Sequence, residues 1–122
     1  MTQARQGLGR LGEKLAAEKL ETLGYEIVAR NYRVPGGEID LVTKRGGLWA
    51  FVEVRARRGD KFGTPEQSLT DRKKARLILA AQTYLDEHDL GDVPWRIDFV
   101  AVELTGRGKL MRVEVIENAV SG

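Results

Sequence analysis

Apolar positions over residues 5–23 recur every three to five residues: Leu8, Leu11, Leu15, Leu20 and Leu23, with Ala16 between them. That spacing holds them on one side of an α-helix and predicts a broad apolar face. Gly9 and Gly12 each weaken such a helix by roughly 1 kcal/mol against alanine, so they either permit close packing or fray the first turns. Gly24 stands where a left-handed residue would stop it. The period then changes. Tyr25 to Tyr32 reads as a strand centred on Ile27 and Val28, and Pro35-Gly36-Gly37 as a turn. Two apolar runs, 37–42 and 48–54, flank Gly46-Gly47 and predict a β-hairpin. The second run is rich in aromatic and β-branched residues, as a central strand would be.

Gly59 to Thr64 is a glycine-rich loop carrying Phe62, which either stacks on a base or packs back on its own domain. Thr64-Pro65-Glu66-Gln67 has the pattern of a capping box with proline at the first helical position, predicting a short turn over 65–69. A main helix is predicted over about 71–88, with Ile78, Ala81 and Leu85 on its core side and Leu77 and Tyr84 adjacent. Gly91 to Pro94 breaks it. Trp95 to Leu104 carries apolar residues in both alternating rows, so this strand is covered on both faces. A turn at 105–108 leads into a last strand, Leu110 to Ile116. The order α-β-β-β-α-β-β predicts an α/β (α+β) fold, a mixed five-stranded sheet flanked by helices, in one domain spanning 1–122.

Two acidic residues break the apolar hairpin runs: Asp40 in the first strand and Glu53 in the second. A carboxylate in a core strand is costly unless something pairs with it. Asp40 and Glu53 lie equally far from the centre of the Gly46-Gly47 turn, so simple pairing puts them nearly opposite; whether they share a face depends on the register. Glu53 and Arg55, two apart, point to one face. Converging carboxylates repel, and a hard divalent cation with oxygen ligands relieves that repulsion. With Glu13 from the first helix added, the set contains no histidine or cysteine and suits Mg²⁺ or Mn²⁺. The plainer alternative is a cross-strand ion pair, Asp40 with Arg55 or Glu53 with Arg57. Glu38, two before Asp40, is a further ligand or a rim charge, and Asp98 pairs with Arg96 or a turn.

Composition narrows the chemistry. The chain has 122 residues, no cysteine and a single histidine, His88, in an acidic helix end. Disulfides, cysteine zinc sites and a cysteine nucleophile are excluded, and a Ser-His-Asp triad or multi-histidine site is disfavoured. No apolar signal-peptide core or membrane-length run is present, which predicts a soluble, cytoplasmic protein with no membrane partner. The net charge of +2 says little, but its distribution says more. Arg55, Arg57, Arg58 and Lys61 follow Glu53, and Arg72, Lys73, Lys74 and Arg76 open the second helix. Two basic clusters beside a carboxylate cluster suit a polyanion held against a metal, although charge runs are commonly just solvated faces.

Gly9-x-x-x-Glu13, Gly37-Glu38-Ile39-Asp40 and Phe51-Val52-Glu53-Val54-Arg55-Ala56-Arg57 resemble the motifs of the YraN family. That bacterial group is related to archaeal Holliday junction resolvases and the PD-(D/E)XK nuclease superfamily. Phe62-Gly63-x-Pro65, the helix start around Lys73 and Arg96-Ile97-Asp98-Phe99-Val100 extend the resemblance over almost the whole chain. It implies a restriction-endonuclease-like α-β-β-β-α-β core and a metal-dependent endonuclease for branched or structured DNA. It implies Asp40 and Glu53 as metal ligands, Glu13 as a ligand directly or through water, and Arg55 at the superfamily's lysine position. Arg57, Arg58, Lys61, Arg72 and Lys73 become the expected DNA contacts, and a homodimer stays open. Arg55 is the main departure: it can clamp phosphate but stays protonated and is no general base. Ile39, where the motif name has proline, is a milder one. A DNA-binding module that cleaves weakly or not at all, and a protein-interaction domain, are the alternatives.

Overall fold

In the computed structural model, which describes residues 2–59, 61 and 63–120, seven main elements follow the expected order. They are α1 (Thr2–Thr22), β1 (Glu26–Val34), β2 (Gly37–Arg45), β3 (Leu48–Arg58), α2 (Asp71–Glu87), β4 (Trp95–Leu104) and β5 (Leu110–Val120). A 3₁₀ turn, Pro65–Ser68, precedes α2. The strands form one sheet in the order β1-β2-β3-β4-β5. Pairing is antiparallel except between β3 and β4, so the sheet is mixed and β3 is central.

Local chemistry sets the boundaries. Gly24, at φ +91°, ends α1; its N–H bonds the carbonyl of Glu21, and that of Tyr25 bonds the carbonyl of Leu20. These two bonds satisfy carbonyls the last turn leaves free. Gly36, at φ +88° after Pro35, closes the β1–β2 turn. At α2 the hydroxyl of Thr70 accepts from the N–H of Lys73 at 3.2 Å. The amide oxygen of Gln67 accepts from Thr64 N–H at 2.8 Å, as the capping-box pattern predicted.

The helices cover opposite faces. Toward α1, Ala16, Ala17 and Leu20 pack with Leu41, Val52, Val54, Val100 and Val102. Toward α2, Leu77, Ala80, Ala81 and Tyr84 pack with Ile39, Val42, Phe51 and Ile97. The buried stripe of α1 therefore coincides only in part with the one that spacing predicted: Leu20 and Ala16 are buried and Leu15 packs beside them. Leu11 and Leu23 are each about two-fifths exposed, while Gly12, Ala16 and Ala17 form the seat. Small residues win because α1 lies very close to β3: a Cβ on Gly12 would come within 2.8 Å of that of Ala56. On α2 the buried face likewise centres on Leu77, Ala81 and Tyr84, with Ile78 only half-buried.

Asp98 is fully buried on β4, with Val52 of β3 as its register partner. It accepts from Arg96 Nε at 2.9 and 3.1 Å and from the Asn118 N–H at 2.9 Å. Arg96 also reaches the Tyr25 hydroxyl, tying β4 to the exit of α1. Burial raises the Asp98 pKa, and the Asn118 and Arg96 contacts oppose that shift. Asp98 is thus a structural charge, paired as the sequence suggested. Among the described residues no helix is long and apolar enough to cross a membrane.

Candidate functional site

The site begins where β2 parts from β3. Their backbone register runs from Arg45↔Leu48 to Leu41↔Val52. One step further, Asp40 and Glu53 fall opposite, as the turn arithmetic predicted. There the backbone ladder gives way to a side chain: Asp40 Oδ2 accepts from the Val54 N–H at 2.8 Å. The strand alternation also breaks at this point. Ile39 and Val42 both pack toward α2, whereas Leu41 packs toward α1. Across the β1 pairing, Asn31 takes a left-handed φ of +52° between the pairs Arg30↔Leu41 and Tyr32↔Ile39. A local irregularity in two strands thus places Asp40 in the gap at the end of the β2–β3 ladder.

Glu53 follows regular β3 alternation and projects with Phe51 toward α2. Both carboxyls are buried, Asp40 at 8% and Glu53 at 6% exposure. Burial, together with a hydrogen bond to Asp40 and the charge of that neighbour, pushes the Glu53 pKa up to about 9. The direction of that shift favours a Glu53 carboxyl that keeps its proton at neutral pH. Arg55 Nη2 lies 3.4 Å from Glu53 Oε2, which makes this the ion pair on the strand rather than either pairing considered from sequence. Lys73, reaching in from the first turn of α2, also faces Glu53; burial and the charge of Arg55 lower its pKa.

Two clefts meet at this centre. The first, about 1060 Å³, runs on the α1 side from Glu13 and Asp40 past Arg55 and Lys73 to the end of β3 and the β4–β5 turn. The second, about 340 Å³, opens on the α2 side and is lined by Glu53, Arg55, Arg72, Lys73 and Arg76, with Glu38 on its rim. Arg55 and Lys73 border both.

The expected residues are distributed accordingly. Asp40, Glu53 and Arg55 come together. Glu13 is half-buried on the α1 side, its pKa raised by burial and by Asp40, and it lines only the first of the two clefts. Among the described residues no three acidic, histidine or cysteine side chains stand close enough to hold one ion. Glu13 on α1 thus stands with Asp40 on the first cleft, while Glu53 projects to the α2 side of the sheet. Glu38 is exposed and paired with Arg33 at 3.0 Å, a rim charge. Arg57 and Arg58 line the first cleft and Arg72 the second, while Lys61 is exposed on the turn beyond β3. Phe62 lies outside the described residues. His88 caps α2, stacked on Tyr84 with ring centroids 3.9 Å apart, and takes no part.

Two contributors, Arg107 and the Val54 N–H, were not legible in the sequence, and a third, Arg76, was named there only as one of a basic cluster. Arg107, treated there as part of a turn, reaches the first cleft because parallel pairing sets Leu104 beside Arg58 and so brings the β4–β5 turn to the end of β3. Arg76, a member of the basic cluster that opens α2, enters the second cleft one helical turn after Lys73. The Val54 N–H is a backbone donor with no sequence signal. The donor pair itself is all oxygen and suits a hard cation, which would take the place of the Glu53 proton.

Comparison with known proteins places residues 12–102 in the Uncharacterised protein family UPF0102. A UPF0102 protein of Dehalococcoides mccartyi is 45% identical over 120 residues, 98% of each chain. Others from Roseiflexus castenholzii and Pelotomaculum thermopropionicum are 45% and 44% identical, over 98% of this chain and 98% and 99% of theirs.

Proposed function

The chain belongs to the UPF0102 family, the YraN group that its motifs resemble, and we propose that it is a metal-dependent phosphodiesterase acting on branched or structured DNA. One observation carries this reading: a buried Asp40–Glu53 pair lies between two clefts that both contain Arg55 and Lys73. Adjacent anionic and cationic groups suit a phosphodiester, which needs its charge neutralised from both sides. Asp40 and Glu53 would hold Mg²⁺ or Mn²⁺. When bound, such an ion supplies Lewis-acid polarisation of a phosphoryl oxygen. Glu13, across the first cleft, acts on that centre at a distance or through water.

Arg55 holds the phosphate, because its guanidinium can donate two parallel hydrogen bonds. It cannot give up a proton near neutrality, whereas an amine can, so Lys73 is the nearby cation suited to moving one. Arg57, Arg58, Arg72 and Arg76 extend the basic surface along the strand. A second reading, a DNA-binding module with weak or no cleavage, is favoured by the arginine at position 55.

The experiment is cleavage of a four-way junction, a flap, single strands and plain duplex, with and without Mg²⁺ or Mn²⁺, for wild type and Arg55→Lys. The expected wild-type result is slow, Mn²⁺-favoured cleavage, with Arg55→Lys cutting faster while binding DNA equally or less well. Brisk wild-type cleavage in Mg²⁺ that the lysine variant loses would make arginine the evolved catalytic group. Salt-dependent DNA binding without cleavage in either protein would leave the binding-module reading.

A further inference from the structure

The two clefts differ in character. The α2-side cleft is small and mostly charged: Arg55, Arg72, Lys73 and Arg76 stand around Glu53, with Thr70 and Leu77 as the uncharged part of its lining. Such a surface follows a phosphate backbone without asking anything of the bases. The α1-side cleft is some three times larger, and part of its wall is apolar: Leu8 and Leu11 from α1, Ala56 and Leu104 from the sheet. Leu11 is 40% exposed on that wall, an otherwise unexplained apolar residue facing solvent. Gly9 sits on the same wall, and a Cβ built there meets no atom within 4 Å, so the space beside it is open. At the rim, the buried Nε of Arg57 has no hydrogen-bond partner, and Arg107 stands nearby.

Duplex DNA hides the faces of its bases and offers phosphates. An unpaired nucleotide offers both an apolar base face and a phosphate. Only the latter matches a cleft with an aliphatic wall and a guanidinium short of one acceptor at its edge. A cleft of about 1060 Å³ is just above the range that encloses small ligands, roughly 300–1,000 Å³, which suits a few nucleotides but not a double helix. Because Arg55 and Lys73 border both clefts, one strand can pass from the charged side to the apolar side at the acidic pair.

Resting on the nuclease reading above, we infer that the substrate carries a junction between duplex and single strand at the site. Its paired arm lies along the α2 basic cleft, and its first unpaired nucleotide lies in the α1-side cleft against Leu8 and Leu11.

The test is DNA affinity in EDTA, so that cleavage does not intrude, for a splayed-arm duplex and for a plain duplex of equal length. Wild type is compared with Gly9→Leu and Arg76→Ala. Gly9→Leu fills the apolar cleft while raising helix propensity, so it folds at least as well. Wild type is expected to favour the splayed substrate by about tenfold, the scale of one base contact. Gly9→Leu should bring that ratio close to one with an unchanged or higher melting temperature, and Arg76→Ala should weaken both complexes. Equal wild-type affinity for the two substrates, or a ratio that survives Gly9→Leu, overturns this inference and leaves the nuclease reading standing. Absence of salt-dependent binding to either DNA overturns both.

Discussion

Glu53→Gln is expected to stabilise the metal-free protein at pH 8 and to flatten its dependence of stability on pH. Burial and Asp40 lift the Glu53 pKa to about 9 from an ordinary 4.5. Between those values the folded chain keeps a proton that the unfolded chain has lost. The unfolded state then binds fewer protons, so stability falls as pH rises. The favourable contribution is complete below about pH 4.5 and is lost progressively as pH climbs toward 9. The slope is at most about 1.4 kcal/mol per pH unit, so the summed effect at pH 8 is several kcal/mol as an upper bound. Glutamine can donate to Asp40 as the protonated acid does, but it never ionises. Glu13 and Asp98, whose pKa values are also raised, add slope to both proteins, so the difference between them isolates Glu53. Urea denaturation from pH 5 to 8.5 measures it. A wild-type stability that is level or rises across this range would place Glu53 in a wetter setting than the structure gives it.

Gly37→Ala is expected to cost about 1–3 kcal/mol of stability, the range for forcing an atom into a packed interior. A Cβ at this position would overlap the carbonyl oxygen of Arg76 and stand 3.2 Å from the Ala80 side chain. The glycine opening Gly37-Glu38-Ile39-Asp40 is there because β2 runs against the backbone of α2. Moving β2 away also moves Asp40, three residues on, so metal affinity should fall along with stability. Urea midpoints and Mn²⁺ titrations of the same variant read both effects. An unchanged midpoint would mean that this contact is slack and that the glycine serves only the turn.

Much of this architecture was legible because the periodicity was strong. The hairpin around Gly46-Gly47 placed Asp40 opposite Glu53, and alternation put Arg55 on the Glu53 face. Other features depended on what the chain meets after folding. Leucine spacing found Leu20 and Ala16 but wrongly placed Leu11 and Leu23 on the buried stripe of α1, since the closeness of Gly12 to Ala56 is a tertiary fact. The break in alternation at Asp40 involves the left-handed Asn31 on a neighbouring strand, which no pattern within β2 reveals. Arg107 needed the parallel β3–β4 register before it could be assigned to a cleft. Glu13 was grouped with the acidic pair by motif; it stands with Asp40 on the first cleft, while Glu53 projects to the α2 side of the sheet.

The central claim is that Asp40 and Glu53 together form a divalent-cation site. The most direct test is thermal unfolding with and without Mn²⁺ for wild type and Asp40→Asn, at a pH where both are folded. A ligand that binds only the folded state raises the melting temperature in proportion to its affinity. Mn²⁺ is expected to raise the melting temperature of wild type and to leave that of Asp40→Asn unmoved. An equal rise in both proteins, or none in either, would contradict a cation site at this pair.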